Sequence, residues 1–252
     1  PAAEESIRIM ADQFPDMLLG AGTVLTTEQA DRAIAAGAKF IVSPGFNPKV
    51  VSHCIEKNIP ITPGISNPSD MEQAIEMGLD AVKFFPAVPS GGLSMIKALA
   101  APYHTMRFMP TGGVTPQNLT EFLDYPKILA CGGTWMVKPE LLATGNFEEI
   151  TRLTRQTVRT MLDLKIDELT LPFPHTGNNL SDVLHGLINL SSGSTKELTI
   201  SCRYLKRTIY HLEKNGATFR YDNAKYDSAG NMDAIDFSDA PEEFSIRLIE
   251  KH

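Results

Sequence analysis

Six short apolar runs, spaced about every 20 to 25 residues, constrain this chain more than any other feature. They are residues 17–23 (MLLGAGT), 40–45 (FIVSPG), 59–66 (IPITPGIS), 81–87 (AVKFFPA), 106–113 (MRFMPTGG) and 128–134 (ILACGGT). Each is too short for a helix and rich in residues that suit a strand buried on both faces. Each ends in small or turn-forming residues. Helix signals fill the gaps. Thr26 with Gln29 forms a capping box, and Asn47-Pro48, Asn67-Pro68 and Thr115-Pro116 each place a cap residue before proline, the preferred first helical residue. Alternating strands and helices with short links predict parallel βα units. A doubly wound sheet and a (β/α)8 barrel both satisfy that pattern.

The pattern changes after a helix expected to end near Leu162. Residues 163–195 contain Pro172, Pro174, Gly177, Asn178 and Asn179, a short apolar stretch at 183–190, and Ser191-Ser192-Gly193-Ser194. They read as a linker or a degenerate module. Residues 196–252 are clearer: a strand (KELTIS), a helix over 204–214 closed by Asn215-Gly216, a strand (ATFRYD), a turn at 227–231, and two more strands (MDAIDF and FSIRLIE). The expected organisation is therefore an α/β unit over 1–162, a linker or degenerate module over 163–195 and a βαβββ module over 196–252.

Charge and cysteine content narrow the function classes. The net charge is −7, with no basic patch, so nucleic acid and anionic membrane are poor partners. No apolar run approaches the ~20 residues of a membrane helix. Three cysteines (Cys54, Cys131, Cys202) without a CxxC pair argue against a disulfide scaffold or a cysteine-rich zinc site, and fit a reducing, cytoplasmic compartment.

In parallel α/β folds, sites collect at the carboxyl ends of the strands. Small residues dominate those ends here, which leaves backbone N–H groups open to anions. The charged side chain that stands out is Lys83, beside Val82 and Phe84. Residues 83 and 85 share a strand face, so Lys83 and Phe85 are expected to point the same way. A lysine in apolar surroundings loses solvation, which lowers its pKa and frees the amine for Schiff-base formation. Snorkelling to solvent is the plainer alternative. The glycine turns PTGG and CGGT, each with a hydroxyl (Thr111, Thr134), suggest a phosphorylated or carboxylated keto substrate. Schiff-base chemistry also needs a proton carrier, and none of the six runs holds a carboxylate, histidine or tyrosine.

The motifs GAGTV (20–24), SPG (43–45), PGIS (63–66), KFFPA (83–87), PTGGV (110–114) and GGTW (132–135), in this order and spacing, resemble the 2-dehydro-3-deoxy-6-phosphogluconate (KDPG) aldolases. Many of these also cleave 4-hydroxy-2-oxoglutarate (KHG). The resemblance spans about residues 5–160. It implies a trimeric class I aldolase with a (β/α)8 TIM barrel that cleaves a 4-hydroxy-2-keto acid to pyruvate and an aldehyde, with no metal and no other cofactor. Lys83 matches the Schiff-base lysine. Thr23, Pro44, Phe85 and Thr111 match the pyruvate pocket. Gly112, Gly113, Gly132 and Gly133 match the backbone cradles, and Thr134 stands where the family usually has a phosphate-contacting serine. A related 2-keto-acid aldolase with another aldehyde specificity is the alternative enzyme reading. A non-catalytic scaffold, with its function in the C-terminal module, is the rival from another class.

Six runs are two strands short of an eight-stranded barrel. The chain opens on Pro1, and PAAEE reads as the first turn of a helix that follows a strand. The expectation is about 45–55 residues before Pro1, carrying two further βα units of the same period. The family's general acid/base glutamate and its substrate arginine are expected there. The C-terminal module is similar to one module of glyoxalase-like (vicinal oxygen chelate) domains. Glu197 and Glu250 are its strand carboxylates, whereas His175 and His185 lie in the poorly patterned stretch and His211 on a helix. An interaction or oligomerisation role is expected there in preference to metal binding.

Overall fold

The computed structural model describes residues 2–171, 189–192, 196–241 and 244–251. The chain divides into two compact units, residues 1–145 and 146–252.

In the first unit, strands and helices alternate: α1 (Ala3–Gln13), β1 (Gly20–Ala21), α2 (Thr27–Ala35), β2 (Phe40–Val42), α3 (Pro48–Glu56), β3 (Ile61–Thr62), β4 (Gly64–Ile65), α4 (Pro68–Glu76), β5 (Ala81–Phe84), α5 (Gly92–Ala100), β6 (Arg107–Pro110), α6 (Leu119–Leu123) and α7 (Pro139–Ala143). The strands pair in parallel as β1-β2-β3 and β4-β5-β6. The third apolar run thus supplies two strands. Pro63 lacks the N–H that would continue the ladder, but its carbonyl accepts a hydrogen bond from Lys83 N–H at 2.8 Å. The sixth run does not form a strand. It follows β6 in parallel through isolated bridges, Phe108 to Ile128 and Thr111 to Gly132. Pro110 explains the interruption, since it has no N–H to donate across that pair.

The helix signals are confirmed at three of the four positions. The side chains of Thr26, Asn47 and Asn67 accept hydrogen bonds from the N–H groups of Gln29, Lys49 and Asp70. Thr115 does not cap a helix. Residues 116–118 form a turn, and α6 starts only at Leu119. Phe84, Phe108, Ile41 and Ile65 are fully buried, as strands covered on both faces should be. Met71 and Cys54 fill the core as small or adaptable apolar groups, whereas Cys131 is only half-buried. His53 is tied to the α2–α3 surface by Asp31, 2.8 Å away.

The second unit contains α8 (Phe147–Leu162), β7 (Lys165–Leu171), β8 (Asn189–Ser192), β9 (Lys196–Cys202), α9 (Leu205–Glu213), β10 (Phe219–Tyr226), β11 (Met232–Phe237) and β12 (Phe244–Glu250). Its sheet runs β10-β11-β12-β9-β7-β8. The expected βαβββ module is present as β9-α9-β10-β11-β12, with β12 parallel to β9. Two expectations are corrected. The boundary lies at residue 145 rather than 162, because the end of α8 is tied to this unit: Arg203 N–H donates to the Leu162 carbonyl at 2.9 Å, and the Arg203 side chain reaches the Thr160 and Met161 carbonyls at 3.4 Å. Of the two readings of residues 163–195, the plain linker is overturned in the described part, because β7 lines the edge of β9 antiparallel and β8 pairs with β7. The β7–β9 ladder carries a register shift between Ile166 and Glu168. Pro172, Pro174, His175, Gly177, Asn178, Asn179, His185, Gly193, Ser194 and most of the stretch 183–190 lie outside the described residues. No helix among the described residues is long and apolar enough to cross a membrane.

Candidate active site

Lys83 sits in the middle of the β4-β5-β6 sheet, opposite Gly64 on one side and Met109 on the other. Only 8% of it is exposed. Its Nζ lies 4.5 Å from the centroid of the Phe85 ring, so residues 83 and 85 share a face as their strand spacing predicts. Burial pushes the Lys83 pKa below the usual lysine value. No carboxylate pairs with Lys83 among the described residues. An amine held this way gives up its proton more readily than an exposed lysine, and in its neutral form it can add to a carbonyl.

The neighbouring rims close around it. Gly64 has no side chain where the Pro44 carbonyl approaches, so Pro44 is brought against the strand that pairs with Lys83. Thr111 N–H donates to the Phe84 carbonyl at 3.0 Å, which joins the end of β6 to the end of β5. Gly112 and Gly113 have φ of +93° and +82°, a conformation that favours glycine. A side chain on Gly112 would press on the Phe85 ring and on Pro86. Ala87 N–H donates to the Thr111 carbonyl at 2.8 Å, and Val88 N–H to the Gly112 carbonyl at 3.0 Å. Lys83, Pro44, Phe85, Thr111, Gly112 and Gly113 are therefore joined through direct contacts and adjacent backbone.

The remaining expected residues divide. Gly132 adjoins Thr111, and its missing side chain leaves room for the Thr111 hydroxyl. Its N–H, however, donates to the Pro110 carbonyl at 2.9 Å, so it is not an open anion donor as the sequence suggests. Gly133 packs under the Trp135 ring, and Thr134 is exposed. Thr23 is also exposed. With neighbouring residues 20–24 it lines a cavity of about 390 Å³ bounded by Ile7 and Met10 of α1 and Arg32 of α2. The contacts that join the Lys83 group do not include Thr23 or Thr134.

One side chain at this rim escaped the sequence reading. Asn118 donates through Nδ2 to the Gly113 carbonyl at 3.0 Å and accepts through Oδ1 from Thr115 N–H at 2.8 Å. The signal that could have found it is an asparagine three residues after Thr115, within reach of the backbone of its own turn.

In the second unit, the two strand carboxylates are already engaged. Glu197 accepts from Arg247 at 2.9 Å, beside the Arg247–Asp236 pair at 2.8 Å. Glu250 accepts from Leu205 N–H at 2.8 Å, at the start of α9. Among the described residues no three His, Cys, Asp or Glu side chains cluster as metal ligands.

A parallel α/β unit with a buried amine and glycine turns at its strand ends defines an α/β enzyme of the strand-end type. The family model for KDPG and KHG aldolase matches residues 1–153. A 2-dehydro-3-deoxy-phosphogluconate aldolase from Treponema pallidum is 52% identical over 157 residues, covering 62% of this chain and 75% of the relative. The KHG/KDPG aldolase of Escherichia coli K12 is 38% identical over 156 residues, covering 62% and 73%. The structure of KDPG aldolase from Legionella pneumophila, with pyruvate captured as a covalent carbinolamine intermediate, superposes with a TM-score of 0.59. It is 35% identical and covers 64% of this chain and 75% of that one. The chain belongs to the KDPG and KHG aldolase family, and it is a carbon–carbon lyase.

Proposed function

We propose that this chain is a class I aldolase that cleaves 2-dehydro-3-deoxy-6-phosphogluconate, and also 4-hydroxy-2-oxoglutarate, to pyruvate and an aldehyde through a Schiff base on Lys83. The observation that carries the reading is the buried Lys83 amine, its pKa lowered, against Phe85 and beside the Thr111–Gly113 turn. The named activities of the T. pallidum and E. coli relatives support the substrates. The carbinolamine in the Legionella structure supports the covalent route. The finer description of the fold as a (β/α)8 barrel rests on likeness to such structures.

The neutral Nζ attacks the C2 keto carbon, and a carbinolamine forms. Loss of water gives the protonated imine. The C4 hydroxyl then gives its proton to a general base, and the C3–C4 bond breaks. Its electron pair flows to C3 and into the iminium, leaving an enamine on Lys83 and releasing the aldehyde. Protonation at C3 and hydrolysis release pyruvate and restore the amine. Phe85 and the apolar strand face keep the amine poorly solvated, and Thr111 and Pro44 border the pyruvate carbons. Gly112 and Gly113 offer N–H groups to the phosphate, with Gly133 and Thr134 on the neighbouring turn. A homotrimer in the cytoplasm completes the reading. The C-terminal βαβββ unit is assigned an interaction or oligomerisation role.

Sodium borohydride added with pyruvate tests the mechanism directly. Peptide mass spectrometry should find the reductively attached pyruvate on Lys83. An unmodified Lys83, or label spread over surface lysines, would remove the Schiff base from this reading.

A further inference from the structure

We propose that Asn118 is a positioning residue for the anion cradle: its carboxamide fixes the two peptide planes that follow Gly113, and so pins from its C-terminal side the turn whose Gly112 and Gly113 N–H groups face an anionic ligand. The proposal deepens the reading above and rests on it for the identity of the ligand, a phosphorylated aldehyde or keto acid.

Three consecutive carbonyls in this turn are engaged by protein donors. The Thr111 carbonyl accepts from Ala87 N–H, the Gly112 carbonyl from Val88 N–H and the Gly113 carbonyl from Asn118 Nδ2. The first two donors are backbone groups of the segment that follows β5. The third comes from a side chain, so it is the bond of the three that a substitution can delete. Among the described residues no protein acceptor meets the N–H of Gly112 or Gly113. A peptide plane fixed by its carbonyl also fixes the N–H of the next residue. The Thr111 bond therefore orients Gly112 N–H, and the Gly112 bond orients Gly113 N–H. The Asn118 bond orients Val114 N–H, while its second bond, to Thr115 N–H, closes the turn.

The position of Asn118 argues that this is its main task. It stands at the N-cap of α6, where an asparagine side chain normally accepts from the helix's first free N–H groups. Here the side chain makes no such bond and turns back to the loop instead. With φ of +93° and +82°, the two glycines sit where little but hydrogen bonding holds them against the wide freedom of that residue. Removing the carboxamide releases the C-terminal side of the turn without touching Lys83, Phe85 or the pairing of β5 with β6.

The test compares the full chain with its Asn118→Ala variant in two measurements. The first is pyruvate trapping on Lys83 with borohydride, which involves no phosphate. The second is titration with inorganic phosphate, followed by the backbone amide signals of Gly112 and Gly113 in nuclear magnetic resonance. The expected result is unchanged trapping in the variant, with phosphate affinity weaker by about tenfold, the scale of one lost hydrogen bond. Asn118→Leu keeps the volume, removes both hydrogen bonds and adds no charge near the phosphate; it replaces the alanine variant should that one not fold. Equal phosphate affinity in wild type and variant overturns the proposal, as does equal loss of trapping and affinity, which would mark a merely structural role. Absence of phosphate shifts at Gly112 and Gly113 in the wild type overturns it too. Failure of wild-type trapping overturns the Schiff-base mechanism alone, because the phosphate titration still reads the cradle.

Discussion

Lys83 is a cation in water and an apolar neighbour's burden in the fold. Burial disfavours its charged form and lowers its pKa, and Phe85 offers only a ring face in compensation. The sign for catalysis follows. The rate of imine formation with pyruvate should rise with pH and level off below the ~10.4 of an ordinary lysine; a rate still climbing through that value would contradict the lowered pKa. The sign for stability is the same. At low pH both states hold the proton and the folded state bears the cost of burying the charge. That cost is relieved as pH rises through the lowered pKa toward the unfolded value. Lys83→Arg keeps a cation but cannot form an imine. Aldol cleavage should fall by more than about a thousandfold, with the circular dichroism spectrum unchanged. Turnover near wild type would transfer the nucleophile's role elsewhere.

At the scale of elements, the site is a product of strand ends meeting. β5 is held between β4 and β6, and the breaks between the strands of the first unit fall at prolines, Pro63 between β3 and β4 and Pro110 beside the sixth run. Gly64 is the tightest point, because its missing side chain is where the Pro44 backbone passes. Gly64→Ala should push β4 away from Pro44 and shift its partner Lys83. An overpacking cost of about 1–3 kcal/mol is expected in the denaturation midpoint, with a slower rate of pyruvate trapping. An unaltered midpoint would mean that the Pro44 segment moves aside freely. In the second unit, Arg203 ties the end of α8 to β9 through the Leu162, Thr160 and Met161 carbonyls and Asp163. A cation at a helix C-terminus is favourable for the helix dipole. Arg203→Ala should lower stability by about 1–2 kcal/mol, read by urea denaturation followed by circular dichroism.

For the whole molecule, much was legible before any coordinates. Periodic apolar runs specify buried parallel strands because both faces of such strands must be apolar. Asn47-Pro48 and Asn67-Pro68 specify helix starts because capping is local chemistry. Lys83 with Phe85 was legible because a strand's period of two places both on one face. The C-terminal βαβββ order was legible for the same reason, since alternation and turn residues sit within a few positions of each other. Most of what failed had long-range causes, with one local exception. Thr115-Pro116 resembles the other caps, but Asn118 captures the turn and delays α6. Gly132 resembles Gly112 in sequence, yet its N–H is taken by Pro110 from a neighbouring strand. Residues 165–171 carry too little pattern to announce a strand, and become one because β9 offers an unpaired edge. The close of the first unit moved from residue 162 to 145 because Arg203, more than forty positions along, holds the end of α8. The sequence by itself determined most of the strands and helices of the first unit and which lysine lies buried on its strand, because these depend on neighbours within one or two turns of chain. Only the tertiary structure decided which backbone N–H groups remain open to a ligand and to which unit a helix belongs, because hydrogen-bond partners and packing surfaces come from residues that are distant in the chain and adjacent in space.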